Sequence, residues 1–147
     1  MKDLILKTSN DWSGLVLRIT AGMIMLPHGL QKAFGIFGGY GFSGTMNYFT
    51  GTMKLPWVVS FLVIMIELLA PIGLIAGAMS RVWAVCLVVV MIGAIVTTNY
   101  KNGLFMNWYG AQAGEGYEYH LLFIGICLAI VINGSGKFSI DWYLSKM

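Results

Sequence analysis

Apolar residues in this chain come in long unbroken runs, separated by short stretches rich in glycine, aromatics and charge. Four windows stand out: Trp12 to Phe34, Pro56 to Met79, Val82 to Tyr100 and Tyr119 to Asn133. A helix needs about 20 apolar residues to cross the hydrocarbon core of a bilayer. The first three windows reach that length and the last is the shortest. Runs such as Cys86-Leu-Val-Val-Val-Met-Ile lack the alternating polarity of a lumen-facing barrel strand, so helices are predicted throughout. The first window carries Arg18, Pro27 and His28; neighbouring helices can satisfy backbone groups that Pro27 frees. The expected fold is all-α and membrane-embedded: a bundle of four transmembrane helices, with spans at about 12–34, 56–79, 82–100 and 119–133, forming a single domain over residues 1–147.

The polar stretches sharpen this outline. In the first outer loop, Gly35 to Leu55, the residues Phe42, Met46 and Phe49 recur at helical spacing, which predicts a short interfacial helix beginning near Ser43. Its glycines lack the Gly-Lys-Ser/Thr ending of a phosphate-cradling loop. Ser80 and Arg81 mark a tight turn between antiparallel neighbours. Lys101 to Glu118 forms the second outer loop, with Trp108 and Tyr109 suited to the headgroup layer. Asn133 to Asp141 reads as a turn into a short amphipathic tail. Small residues sit at packing positions, Gly73 and Gly77 four apart and Gly22 in the first span.

Composition excludes a soluble domain, with 58% hydrophobic and only 10% charged residues. The net charge of +3 is a topology signal. Of nine Lys and Arg, six (Lys2, Lys7, Arg18, Arg81, Lys137, Lys146) fall on the side of the termini, against Lys32, Lys54 and Lys101 opposite. The positive-inside rule then puts both termini in the cytoplasm of a multi-pass protein of the inner (plasma) membrane. No basic cluster of the nucleic-acid-binding kind is present. The first apolar run is read as a span and not a cleaved leader, being long, interrupted by Arg18 and lacking a small-x-small site.

Chemistry centres on Glu67, a carboxylate near the middle of the second span. A charge there costs roughly 2.5–3.5 kcal/mol on the insertion scale, so Glu67 should face a partner or a cavity. At about 1.5 Å per residue, Arg18 lies within reach from the first span, and the two are compatible either with a structural ion pair or with a catalytic, proton-handling site. A quinone head group could be bound by His28, Gln31 and Glu67. Other readings of the histidines are a haem held by His28 and His120, or a metal held by His28, His120 and Glu118 or Glu67. Simple polar packing is the plainest alternative. Cys86 and Cys127 form no Cys-x-x-Cys pair and read as small apolar fillers.

Taken in order, several segments resemble the DoxX family of membrane proteins. They are Leu17-Arg-Ile-Thr-Ala-Gly22, His28-Gly-Leu-Gln-Lys32 with Phe34-Gly35, Ile66-Glu67-Leu68 followed by Gly73, Gly77 and Arg81, Asn102-Gly-Leu-Phe, Gly116-Tyr-Glu-Tyr119, and Gly134-Ser-Gly-Lys-Phe-Ser-Ile-Asp141. The resemblance runs over nearly the whole chain. It implies a four-helix membrane protein with redox or quinone chemistry as a candidate oxidoreductase or oxidoreductase subunit, or else a non-catalytic accessory subunit. Partners implied are the bilayer, a larger membrane complex or further copies of the chain. The family often has a histidine shortly before the Asn-Gly segment, where this chain has Thr97-Thr-Asn-Tyr100; a polar site using that histidine would be altered here.

Overall fold

A computed structural model of the chain describes residues 6–147. Lys2, counted above among the basic residues of the terminal side, lies outside the described residues. The protein is an all-helical, multi-pass membrane protein, with no strand among the described residues.

Helix α1 spans Trp12–Phe34, α2 Gly41–Asn47, α3 Trp57–Ala76, α4 Ser80–Ala94, α5 Glu118–Asn133 and α6 Ile140–Leu144. Two of these run on into wider π-helical turns, α2 through Tyr48–Thr52 and α4 through Ile95–Asn99, the latter followed by a 3-10 turn at Tyr100–Asn102. Helices α1, α3 and the continuous α4 segment Ser80–Asn102 are long and apolar enough to cross a membrane; α5, at 16 residues, is shorter. The short helix expected near Ser43 is α2, which packs on α1 and α3.

Local chemistry sets the boundaries. Asp11 caps α1, its carboxylate accepting from the Gly14 amide at 2.7 Å and from the hydroxyls of Ser9 and Ser13. These donors hold the Asp11 carboxyl down at a pKa of about 2. Helix α3 ends at Gly77, whose φ of 67° lies in the left-handed region that favours glycine. Its missing side chain is also required, because a Cβ there would stand 2.4 Å from Ser139 Cβ.

Helices in lipid gain little from hydrophobic burial and associate through close packing of small residues. The buried stripe of α1 accordingly reads Gly14, Arg18, Ala21, Gly22, Met25 and Gly29, at three- and four-residue spacing. Its counterpart on α3 is Ser60, Ile64, Glu67, Ala70, Pro71 and Leu74. The centre of the bundle is filled by Ala21, Leu74, Leu87, Met91, Phe123 and Ile130 among others. Cys127 belongs to this core, fully buried, and Cys86 is partly buried; both are free thiols.

Candidate functional site

Two charged centres lie at different heights in the bundle. The first lies at the end where α1 begins and α3 turns into α4. Arg18 is buried there, and all five of its guanidinium donors meet main-chain carbonyls. Its Nε donates to Ser135 O at 2.9 Å, Nη1 to Leu74 O at 3.0 Å and to Ile75 O, and Nη2 to Lys137 O at 3.0 Å and Phe138 O at 2.8 Å. Leu74 and Ile75 are among the last carbonyls of α3, which have no partner within the helix. Beside them, buried Asp141 accepts from the Met79 and Ser80 amides at 2.7 and 3.0 Å and from the Ser135 hydroxyl. A carboxylate on the first amides of α4 stabilises that helix start. Arg18 and Asp141 therefore clasp the α3–α4 turn to the 135–138 turn.

The second centre forms around Glu67, halfway along α3. The pairing with Arg18 suggested by depth does not form; the Glu67 carboxylate is bridged by the Lys32 ammonium. Lys32 sits in the last turn of α1. Helical side chains lean toward the N-terminus, so Lys32 reaches back toward the level of Gly29. Gly29 is where α1 meets Glu67: a Cβ at position 29 would lie 2.2 Å from the Glu67 carbonyl oxygen. Pro71, four residues on, has no amide to offer that carbonyl. Glu67 is 4% exposed, so its charge is compensated by an ammonium at close range and not by water.

Lys32 and Glu67 form the polar end of a cavity of about 430 Å³ whose remaining wall is largely apolar, including Phe49, Leu62, Ile66 and Val89. This is the lower part of the range typical of small-molecule sites. Both π-helical turns contribute to it, Tyr48 and Phe49 from one, Thr97 and Thr98 from the other. Such turns recur at functional sites because the widened coil redirects side chains. In each, a threonine hydroxyl bonds a carbonyl four residues back: Thr50 to Met46 O and Thr97 to Gly93 O, both at 2.8 Å. Thr97 and Thr98 thus line the same space as the ion pair.

The remaining candidates do not line this cavity, although His28 lies within electrostatic range of Lys32, Glu67 and His120. His28 is exposed on α1. Gln31 holds the following loop, its Nε2 donating to Phe37 O at 3.2 Å. Glu118 accepts from the Met106 amide at 3.2 Å and from Trp108 Nε1 at 3.3 Å, fixing the second long loop. No three His, Cys, Asp or Glu side chains converge as a metal-ligand set among the described residues, so His28, His120 and Glu118 are not gathered into one. The buried Tyr119 hydroxyl and His120 Nδ1 have no hydrogen-bond partner among the described residues. Lys32 was counted above only as an outer-side charge; the readable signal was its position three residues after Gly29, on the face that meets α3.

Comparison with known proteins fits this architecture. The model of the DoxX family matches residues 13–100, which run from α1 through the π-helical end of α4. A Bacillus subtilis (strain 168) protein named "Putative oxidoreductase CatD" is similar, 30% identical over 132 residues, covering 90% of this chain and 87% of that protein. No solved structure matches the chain.

Proposed function

The chain belongs to the DoxX family, and on that footing we propose that it binds a quinone in the cavity closed by Lys32 and Glu67, as part of membrane redox chemistry. The observation that carries this reading is the pairing of an ion pair on buried Glu67 with a largely apolar chamber of about 430 Å³. A quinone offers a ring for the apolar walls and carbonyl oxygens for a donor. Lys32 would donate to one carbonyl oxygen, and Glu67 would pass a proton to the ring when an external electron donor reduces it, or accept one when an external electron acceptor oxidises the quinol. The oxidoreductase name of the Bacillus subtilis relative supports the same direction.

This assignment shifts the ligand-binding role from His28 and Gln31 to Lys32, while Glu67 keeps its proton-handling role. Arg18, whose donors are all occupied by carbonyls, acts as a structural clasp. We place the protein in the plasma membrane with both termini cytoplasmic, from the charge distribution.

Equilibrium titration of purified protein with a short-tailed quinone tests the reading. Saturable binding that Glu67→Gln and Lys32→Met each weaken about tenfold is expected. Binding no tighter than to an unrelated helical bundle overturns it. A second reading, a non-catalytic accessory subunit, is favoured by the exposed aromatics Phe105, Trp108 and Tyr109 of the second long loop. A stoichiometric membrane partner recovered after mild extraction, together with absent quinone binding, would select it.

A further inference from the structure

The chamber has a side as well as an end. Val59, Leu62 and Val89 line it, yet they are 42, 49 and 63% exposed. They sit within α3 and α4, inside the membrane-crossing length, so their free faces meet hydrocarbon and not water. Between these helices the wall is notched at Gly93, where an added Cβ would meet no atom within 4 Å. Helices α3 and α4 are antiparallel neighbours, and Leu62 and Gly93 stand at matching heights when counted from the Gly77 turn. The π-helical turn at Ile95–Asn99 lies just beyond the notch and forms its upper lip.

We propose that this gap is a lateral portal: a long-tailed quinone enters from the bilayer between α3 and α4, its prenyl tail lying over Leu62 and Val89 at Gly93 while its ring reaches Lys32. The proposal rests on the quinone reading and deepens it, naming a lipid-borne ligand in place of a water-soluble one. The match is chemical. One small polar end and a hydrocarbon-facing apolar flank fit an amphiphile with a single polar head.

The test uses full-length protein in phosphatidylcholine vesicles with two photoactivatable probes. One is a prenylated naphthoquinone with a diazirine on its tail; the other is the same prenyl chain without the head. Cross-links are mapped by mass spectrometry in the wild type, Gly93→Phe and Glu67→Gln. With the quinone probe, labelling at Leu62 and Val89 should exceed that at the exposed faces of α1 and α5 at least fivefold, and Gly93→Phe should abolish the excess. Gly93→Leu, a smaller plug, carries the same test if the phenylalanine variant does not fold. Labelling spread evenly over all lipid-facing helices, or an excess unchanged by either plug, overturns the portal. Equal portal labelling by both probes, blocked by the plug and indifferent to Glu67→Gln, keeps the portal and removes the quinone reading instead.

Discussion

Gly29 approaches Glu67 so closely that a methyl group at position 29 would stand 2.2 Å from the Glu67 carbonyl oxygen. The contact fixes α1 against α3 at the height of the ion pair, one turn below Lys32. Gly29→Ala should therefore separate the helices and lengthen the Lys32–Glu67 bridge. Overpacking of this kind costs about 1–3 kcal/mol. Unfolding by titration with a denaturing detergent should register that loss, with weakened quinone binding alongside; a variant as stable as the wild type would show that the helices yield freely here.

Lys32→Met removes the partly exposed ammonium that compensates buried Glu67. Breaking a fully buried pair costs about 3–5 kcal/mol, and the expected destabilisation lies below that because solvent reaches Lys32. Adding Glu67→Gln to Lys32→Met should recover much of it, since a neutral pair in an apolar site can be nearly as stable as the ionic one. A double-mutant cycle on unfolding free energies measures the coupling. Additive single effects would argue against a direct bridge.

Arg18→Lys keeps the charge but offers three donors in place of five. Hydrogen bonds to a charged group contribute roughly 1.5–3 kcal/mol each, so the variant should lose about 3 kcal/mol or more. Quinone affinity in the folded fraction should stay within about twofold, because Arg18 does not line the chamber. A large fall in affinity at unchanged stability would return Arg18 to the binding site.

Asp11 supplies a pH dependence. Its folded-state pKa of about 2 lies below the ordinary 3.8. Ionised Asp11 thus stabilises the fold fully above the unfolded value, and the contribution fades as pH falls from about 4 toward 2. Asp11 is close to the surface, where solvent screens the effect, and a capping residue of this type contributes about 1 kcal/mol. Asp11→Asn should lower stability at neutral pH by no more than that and flatten the acid limb of the stability profile. An unchanged acid limb would assign the dependence to another carboxylate.

The helical membrane fold is legible in the chain because lipid imposes a length and a polarity that few other environments demand. Trp12–Phe34 stands out to the residue, bounded by a capping aspartate and a C-terminal glycine. Glu67 is legible as a carboxylate requiring company. What the residue pattern conceals is the identity of that company. Lys32 looks like a loop charge because it lies two residues from a helix end, and only the lean of helical side chains carries it inward. Arg18 has no matching acid at its own position because its acceptors are carbonyls, which every residue possesses and no sequence marks. The chamber depends on two π-helical turns, and neither Tyr48–Thr52 nor Ile95–Asn99 carries a composition that distinguishes it from an ordinary turn of helix.

The Arg18 clasp also constrains how the chain is made. Arg18 enters the bilayer with the first helix, but its acceptor at Ser135 is synthesised 117 residues later. Throughout translation the guanidinium must borrow water or lipid phosphate near the surface, and the bundle cannot lock until its final turn arrives. Completion of the polypeptide is thereby coupled to closure of the helical assembly, since a chain ending before residue 135 would leave three of the five guanidinium hydrogen bonds without acceptors.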